Sequence, residues 1–361
     1  MTNAETPDLP QPIAEALQSP RRWLVTGAAG FIGSHLAETL LLHDQDVVGL
    51  DDFSTGTPVN LEDVAARIGV ERWGRFVLHE GDVRSADVCR RAVEGVDVIL
   101  HQAALGSVPR SLENPLETHA VNVLGTVQLL EAARRGSGPR FVYASSSSVY
   151  GDDPSLPKVE ERRGSPLSPY AASKVAVELA AGVYARAYGL EAVGLRYFNV
   201  YGPRQRPDGP YAAVVPRWIE AFLDGHPVVV YGDGETSRDF CFVADAVLAN
   251  LLAALGDREK LAGSAVNVAG GERSSLNRLF DLLRERISRE RPEAGNRRPI
   301  HEPFRSGDVR HSEADLTRAR RALGFEPRYD LRRGLEETVA WFQARRERGS
   351  RAGLTVGKAT R

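Results

Sequence analysis

The sequence predicts an α/β protein built on a doubly wound, mostly parallel sheet, with a smaller α/β lobe at the C-terminal end. Three features predict this. Short apolar runs alternate with helix-like stretches from Arg22 to Tyr197. A glycine-rich turn separates the first apolar run from the first helix pattern. After Asn199 the texture changes to turn residues, short strands and arginine-bearing loops.

The elements follow in order. Arg22-Trp23-Leu24-Val25-Thr26 is a strand that runs into Gly27-Ala28-Ala29-Gly30-Phe31-Ile32-Gly33, and a helix pattern continues to about His43. Glycines in such a turn let the backbone approach a phosphate at the helix N-terminus. The spacing is GxxGxxG, a variant of GxGxxG. The second strand, 46–50, ends in Asp51-Asp52. An acid there can bond ribose hydroxyls and repels a 2′-phosphate, which favours NAD over NADP. Strands over 75–79 and 96–100 end at Gly81-Asp82-Val83 and at His101-Gln102-Ala103-Ala104, where small residues let a flat ring or sugar lie close. A long helix is predicted over 114–135. The fifth strand, 140–144, runs into Ser145-Ser146-Ser147-Ser148, and the sixth covers 191–197. Gly27, Asp51, Asp82, Ala103, Ser145 and Asn199 all fall at strand carboxyl ends, where ligands of such sheets bind. Further strands are expected at 228–230, 239–243 and 265–268.

Composition sets bounds. A length of 361 residues suits one large domain or two. With 42% hydrophobic and 26% charged residues the chain is ordinary for a soluble globular protein. A net charge of −2 gives no electrostatic case for nucleic acid or a membrane surface. No run approaches the ~20 apolar residues of a membrane span. Pro7, Pro10, Pro12 and Pro20 mark a leader without a basic-then-apolar signal, so disorder over 1–20 and a cytoplasmic location are expected. The basic, polar stretch 346–361 is expected to be a flexible tail. Cys89 and Cys241 are too few for a disulfide framework and lack metal-ligand spacing, so buried thiols and no metal site are expected.

The chemistry centres on Tyr170 and Lys174. Four apart at the start of an Ala-rich run, they share one helix face. A tyrosine titrates near pH ~10, and a neighbouring ammonium that helped lower it by ~3 units would contribute to a term of roughly 4 kcal/mol. Four consecutive hydroxyls at 145–148 can bond a reacting oxygen and its neighbours. Arg238, Arg305 and Arg310 sit in turn-rich loops, and arginine forks in loops suit a diphosphate.

On these residues the chain resembles an extended short-chain dehydrogenase/reductase, from about Trp23 to Phe342, and within that superfamily the NAD-dependent nucleotide-sugar epimerases and dehydratases. The strings 101–111, Leu156-Pro157-Lys158-Val159-Glu160, the 201–211 loop and 232–240 resemble bacterial epimerases acting on UDP-N-acetylglucosamine and its uronic acid. The resemblance implies a Rossmann domain over 21–200 and a mainly substrate-binding domain over 201–345, with some chain returning to the sheet. It also implies tightly bound NAD, a UDP-sugar substrate and a homodimer. Tyr170 becomes the catalytic base, Lys174 its partner and ribose anchor, and Ser146 the hydroxyl on the sugar O4. Gly27, Gly30, Phe31, Ile32, Gly33, Asp51, Asp52, Asp82, Val83, Ala103 and Ala104, with Tyr170 and Lys174 themselves, are implied around NAD. Ser147, Ser148, Asn199, Arg238, Arg305 and Asp308 are implied around the UDP-sugar, with Ser107, Arg110 and Gln205 as weaker candidates.

Ser312 matches a place that carries a bulky Tyr in epimerases restricted to UDP-glucose and UDP-galactose, so a small residue there leaves room for an N-acetyl group. Related 4,6-dehydratases carry an Asp-Glu pair just after the strand-five hydroxyl, and UDP-glucuronate decarboxylases a Glu; this chain has Ser147 and Ser148. C4 epimerisation of UDP-N-acetylglucosamine or its uronic acid is therefore favoured. The alternatives are the plain hexose, dehydration or decarboxylation, an NADPH reductase, and a non-catalytic NAD-binding module, which would lack the Tyr or the Lys.

Overall fold

A computed structural model describes residues 9–209, 212–257, 261–304 and 309–356, with side chains to 348. Six strands in the first part of the chain are β1 (Arg22–Thr26), β2 (Asp46–Asp51), β3 (Phe76–Glu80), β4 (Val98–His101), β5 (Arg140–Ser146) and β6 (Ala192–Tyr197). The later strands are β7 (Val200–Tyr201), β8 (Val229–Tyr231), β9 (Ser237–Asp239), β10 (Cys241–Phe242), β11 (Ser264–Val268), β12 (Arg273–Ser275) and β13 (Ile300–Glu302). The main sheet is parallel throughout, in the order β11-β6-β5-β4-β1-β2-β3.

Alternation along each strand builds two apolar layers. Trp23, Val25, Val47, Leu100, Val142 and Leu195 face one layer, with the helices Phe31–Leu42 and Val243–Leu255. Leu24, Val48, Ile99, Phe141 and Tyr143 face the other, with Gly125–Arg135 and Pro169–Tyr188. Chain from beyond residue 200 enters this body as β11, as the helix Thr317–Leu323, and as the Val243–Leu255 helix, which is almost wholly buried and carries Asp245 and Asn250 among its apolar residues. A separate core gathers Trp218, Phe222, Val230, Phe240, Phe280 and Phe342 in the C-terminal lobe.

The structure corrects four sequence expectations. Residues 1–20 are not all a disordered leader: Gln11–Ala16 is helical, and Ile13 and Leu17 are buried in the main core. The helix Leu331–Val356 runs through the start of the expected tail, where Arg346 pairs with Glu220 and Asp224. The helix expected over 114–135 is broken at Ala120–Leu124 by a π turn. The strand expected over 239–243 is instead the end of β9, then β10, with a helix starting at Val243. Both cysteines are buried free thiols. Among the described residues no helix is long and apolar enough to cross a membrane.

Candidate active site

The carboxyl ends of β1, β2, β4 and β5 open into a cleft of about 480 Å³. Its floor is the glycine turn. Gly27 has φ +66°, and a Cβ there would lie 2.9 Å from the Ala103 amide nitrogen. A Cβ on Gly33 would lie 2.0 Å from the Gly27 carbonyl oxygen, so the turn closes this tightly only with glycine. Gly30 caps the helix that begins at Phe31 without a side-chain bond, leaving first-turn amides for an anionic ligand. Asp51 closes the adenosine end of the wall. It is 7% exposed, and its oxygens accept the amides of Ala29 and Phe53 at 2.8 Å each. Burial raises its pKa above the usual carboxylate range, and the two amide bonds oppose that shift. A glycine cradle, free helix amides and an acid in place of a cation together fit a dinucleotide without a 2′-phosphate.

The reacting end of the cleft is built from β5 and one helix. Ser168 caps that helix by accepting the Ala171 amide at 3.1 Å, with Pro169 in its first turn. This places Tyr170, Lys174, Ser145, Ser146 and Ser147 on one wall of the cleft. The Lys174 ammonium donates to the Ala144 carbonyl at 2.8 Å and lies 5.9 Å from the Tyr170 ring centre.

The expected effect of lysine on tyrosine does not hold in this geometry. The Tyr170 phenol is raised above its ordinary pKa by burial, and the Ser146 hydroxyl bonded to it works the other way. Lys174 is itself lowered to about 8, because burial disfavours its charge while Glu178 favours it.

Two buried polar groups fix the wall. His101 holds its Nδ1 2.7 Å from Thr26 and its Nε2 2.9 Å from Thr126, whose hydroxyl donates to the Asn122 carbonyl. The Thr126 proton is therefore committed, so Nε2 carries the ring hydrogen. Burial, then Lys174, lowers His101 to about 3 and keeps the ring neutral. Asn122, inside the π turn, accepts the Leu105 amide at 2.8 Å and donates to Ser173 at 2.9 Å. That ties the 105–106 loop to the helix Pro169–Tyr188, and π turns are frequent at functional sites.

A second cleft of about 330 Å³ adjoins the first, and Asn199 and Val200 line both. Asn199 has φ +26°, a strained value for a non-glycine residue at the turn from β6 into β7. Arg217, Arg238 and Arg310 converge on this cleft with Trp218, Tyr231 and Phe304. The Arg310 guanidinium lies 3.6 Å from the Phe304 ring centre. Cations over an aromatic floor suit an anionic nucleotide.

Of the residues singled out from the sequence, Gly27, Gly30, Phe31, Ile32, Gly33, Asp51, Asp52, Val83, Ala103, Ala104, Ser145, Ser146, Ser147, Tyr170, Lys174, Asn199 and Gln205 line the first cleft, and Asn199, Arg238 and Arg310 the second. Asp82 is instead turned onto Arg84, with its oxygens bonded to that residue's amide and guanidinium. Ser107 caps the helix Val108–Glu113 and, like Arg110, Ser148 and Ser312, lines neither cleft. The Ser312 amide donates to the Ser237 carbonyl at 3.1 Å, behind Arg238. Arg305 and Asp308 lie outside the described residues.

Sequence reasoning missed Asn122, Arg217, Tyr231 and Phe304. It also missed the Gln102–Tyr197–Asn250 triad beside the junction, whose bonds are 2.7–3.1 Å long.

Comparison with known proteins agrees with this geometry. A model of the NAD dependent epimerase/dehydratase family matches residues 23–269. The chain is 40% identical over 324 residues to a UDP-glucose 4-epimerase of Mycolicibacterium smegmatis, covering 89% of this chain and 98% of that protein. A solved UDP-N-acetylglucosamine 4-epimerase from Methanobrevibacter ruminantium, in complex with UDP-N-acetylmuramic acid, superposes with a TM-score of 0.82 at 35% identity, covering 91% of this chain and 99% of that one. The UDP-glucose 4-epimerase of Thermus thermophilus, solved with NAD, gives a TM-score of 0.76 at 34% identity, covering 89% and 99%.

Proposed function

The chain belongs to the NAD dependent epimerase/dehydratase family, and from that premise we propose that it inverts C4 of a UDP-sugar, foremost UDP-N-acetylglucosamine and UDP-N-acetylgalactosamine or their uronic acids. NAD is the cofactor, and when bound it supplies reversible uptake of the sugar's C4 hydride. The observation that carries this reading is one wall. Ser146 and Tyr170 are partners beside Lys174 on the wall of the first cleft, and Ser147 and Ser148 follow Ser146 in the chain where an eliminating enzyme needs an acid and a base.

The chain's residues divide the work. Gly27, Gly30 and the first-turn amides hold the pyrophosphate, and Asp51 the adenosine ribose. Arg217, Arg238 and Arg310 hold the UDP diphosphate and Asn199 the link between the two sites. Tyr170, assisted by Ser146, removes the 4-hydroxyl proton and later returns it. Burial alone keeps the Tyr170 phenol protonated, so the cations of the assembled complex must lower its pKa when the site fills before it can take a proton. The 4-keto sugar turns over between departure and return of the hydride. Gly27, Gly30, Asp51 and Lys174 would hold NAD in the cleft through the whole cycle.

Although Ser312 lines neither cleft, it follows Arg310 of the second in the chain and bonds Ser237 beside Arg238, and its small side chain is proposed to leave room there for the N-acetyl group. Ser312→Tyr should suppress turnover of UDP-N-acetylglucosamine while sparing UDP-glucose; equal loss of both would remove the gate. Leu112, Leu116, Leu124, Leu179 and Val183 are exposed on neighbouring helices and support the proposal of a homodimer through that face.

The test is to incubate the purified protein, without added NAD, with UDP-N-acetylglucosamine, its uronic acid and UDP-glucose, and to compare product ratios by NMR. The C4 epimers are expected, the acetylated sugars leading. A 4-keto-6-deoxy product or a pentose would replace this reading with dehydration or decarboxylation.

A further inference from the structure

Glu178 lies one helical turn beyond Lys174, and the chemistry above gives it no task. Its side chain is 8% exposed. Arg196 of β6 donates Nε and Nη2 to its two oxygens at 2.8 Å each. Arg163, on the loop before the helix, reaches it at 3.2 Å. Ser145, at the end of β5, donates its hydroxyl at 2.6 Å. Arg196 is fixed in turn by the Tyr150 hydroxyl and the Glu160 carbonyl, both at 3.1 Å. Arginine pairing accounts for the burial of a carboxylate. The bond from Ser145 does something further, because that serine lines the cofactor cleft.

A hydroxyl has one proton. Ser145 gives it to Glu178, so its hydroxyl oxygen is left only the capacity to accept. Its neighbour Ala144 accepts the Lys174 ammonium through its carbonyl. Lys174 and Glu178, four apart on one helix face, thus grip consecutive residues of β5.

We propose that Glu178 is a positioning residue of the cofactor cleft, which acts on the Lys174 ammonium across one helical turn, grips with it consecutive residues of β5, and commits Ser145 to accept, never donate, toward the occupant of that wall. The inference rests on the reading above only in taking this cleft as the NAD site.

Lys174 faces Tyr170 and Glu178 of its own helix and His101 of β4. Glu178 faces Lys174, Arg196 of β6, Tyr143 of β5 and Arg163. Since the His101 ring is neutral and both tyrosines are raised by burial, Glu178 is the anion that supports the Lys174 charge.

The chain has only four lysines, Lys158, Lys174, Lys260 and Lys358. The full-length protein, purified with whatever NAD it carries and labelled with ¹³C-lysine, therefore gives a side-chain NMR titration in which Lys174 is assigned by Lys174→Arg. Glu178→Gln should lower the Lys174 midpoint by about one unit or more, since it removes the anion and leaves two arginines uncompensated. Ser145→Ala should leave the midpoint in place and reduce the NAD that co-purifies. A folded Glu178→Gln with an unmoved midpoint overturns the proposal, and undiminished NAD in Ser145→Ala overturns its second half. Should Glu178→Gln fail to fold, Arg163→Gln at the exposed edge must raise the midpoint; an unchanged or lower one overturns the proposal equally. These titrations are read on the protein itself, so a chain that epimerised none of the UDP-sugars would refute the proposed function and leave this inference standing.

Discussion

The two clefts that meet at Asn199 are built by different physics. The first is a property of backbone: a glycine turn, the amides at a helix start, and an acid whose oxygens are already bonded to two amides. The second is a property of side chains, with Arg217, Arg238 and Arg310 converging from a helix, a strand and a loop over Phe304 and Tyr231. A backbone site is rigid and tolerates no added atom at its glycines. A side-chain site can lose one arginine and still bind, more weakly. The contrast suits a cofactor that stays and a substrate that leaves every cycle.

The sharpest way to isolate the junction is to leave both halves intact. Tyr170→Phe removes only the proton acceptor, so turnover should fall by about 10²–10⁴-fold, while co-purifying NAD and the affinity for UDP are unchanged. Loss of NAD in this variant would mean that the tyrosine holds the cofactor rather than working on the substrate.

Gly33→Ala attacks the first half alone. A methyl group 2.0 Å from the Gly27 carbonyl forces the turn open, and the protein should purify with little or no NAD while UDP, measured by calorimetry, still binds. Arg238→Ala attacks the second half alone. It should raise KM for the UDP-sugar roughly 10- to 100-fold, the range of a lost charge-assisted bond, with NAD content unaltered. If either variant produced the other's phenotype, the division into backbone and side-chain sites would fail.

Acidity separates the halves more gently. Lys174, with a pKa of about 8, is protonated below that pH and neutral above it, so turnover should decline through an alkaline limb near pH 8. Its contribution to stability runs the other way. Between about pH 8 and the unfolded value near ~10.4 the unfolded chain binds the extra proton, so the Lys174 contribution to stability rises with pH. Turnover that falls across this range while the melting temperature of Lys174→Met changes less favourably with pH than that of the wild type would match; an alkaline limb in a melted protein would not.

What the sequence disclosed follows the same division. The turn Gly27–Gly33, Asp51 and the Ser146, Tyr170 and Lys174 group are contiguous motifs, and strand alternation alone places them at one edge of the sheet. The C-terminal cleft was barely legible. Arg217, Tyr231 and Phe304 carry no motif and meet only after the chain has folded, and Arg305 and Asp308 lie outside the described residues. The π turn has no periodicity signal, so Asn122 read as one more residue of a long helix. The helix Gln11–Ala16 had a signal in Ile13 and Leu17, four apart, which the surrounding prolines outweighed. The Tyr170 pKa failed for a physical reason: proximity on a helix face puts Lys174 beside the ring, but its ammonium is bonded to the Ala144 carbonyl, and desolvation of the phenol is the larger effect.

The central claim is that one hydride leaves C4 and returns to C4 inside a closed site. UDP-N-acetylglucosamine carrying deuterium at C4, incubated with the purified protein in ordinary water without added NAD, tests it directly. The account predicts UDP-N-acetylgalactosamine with the deuterium retained at C4. Epimer whose label has exchanged with solvent, or no epimer until a stoichiometric reductant is added, would contradict it.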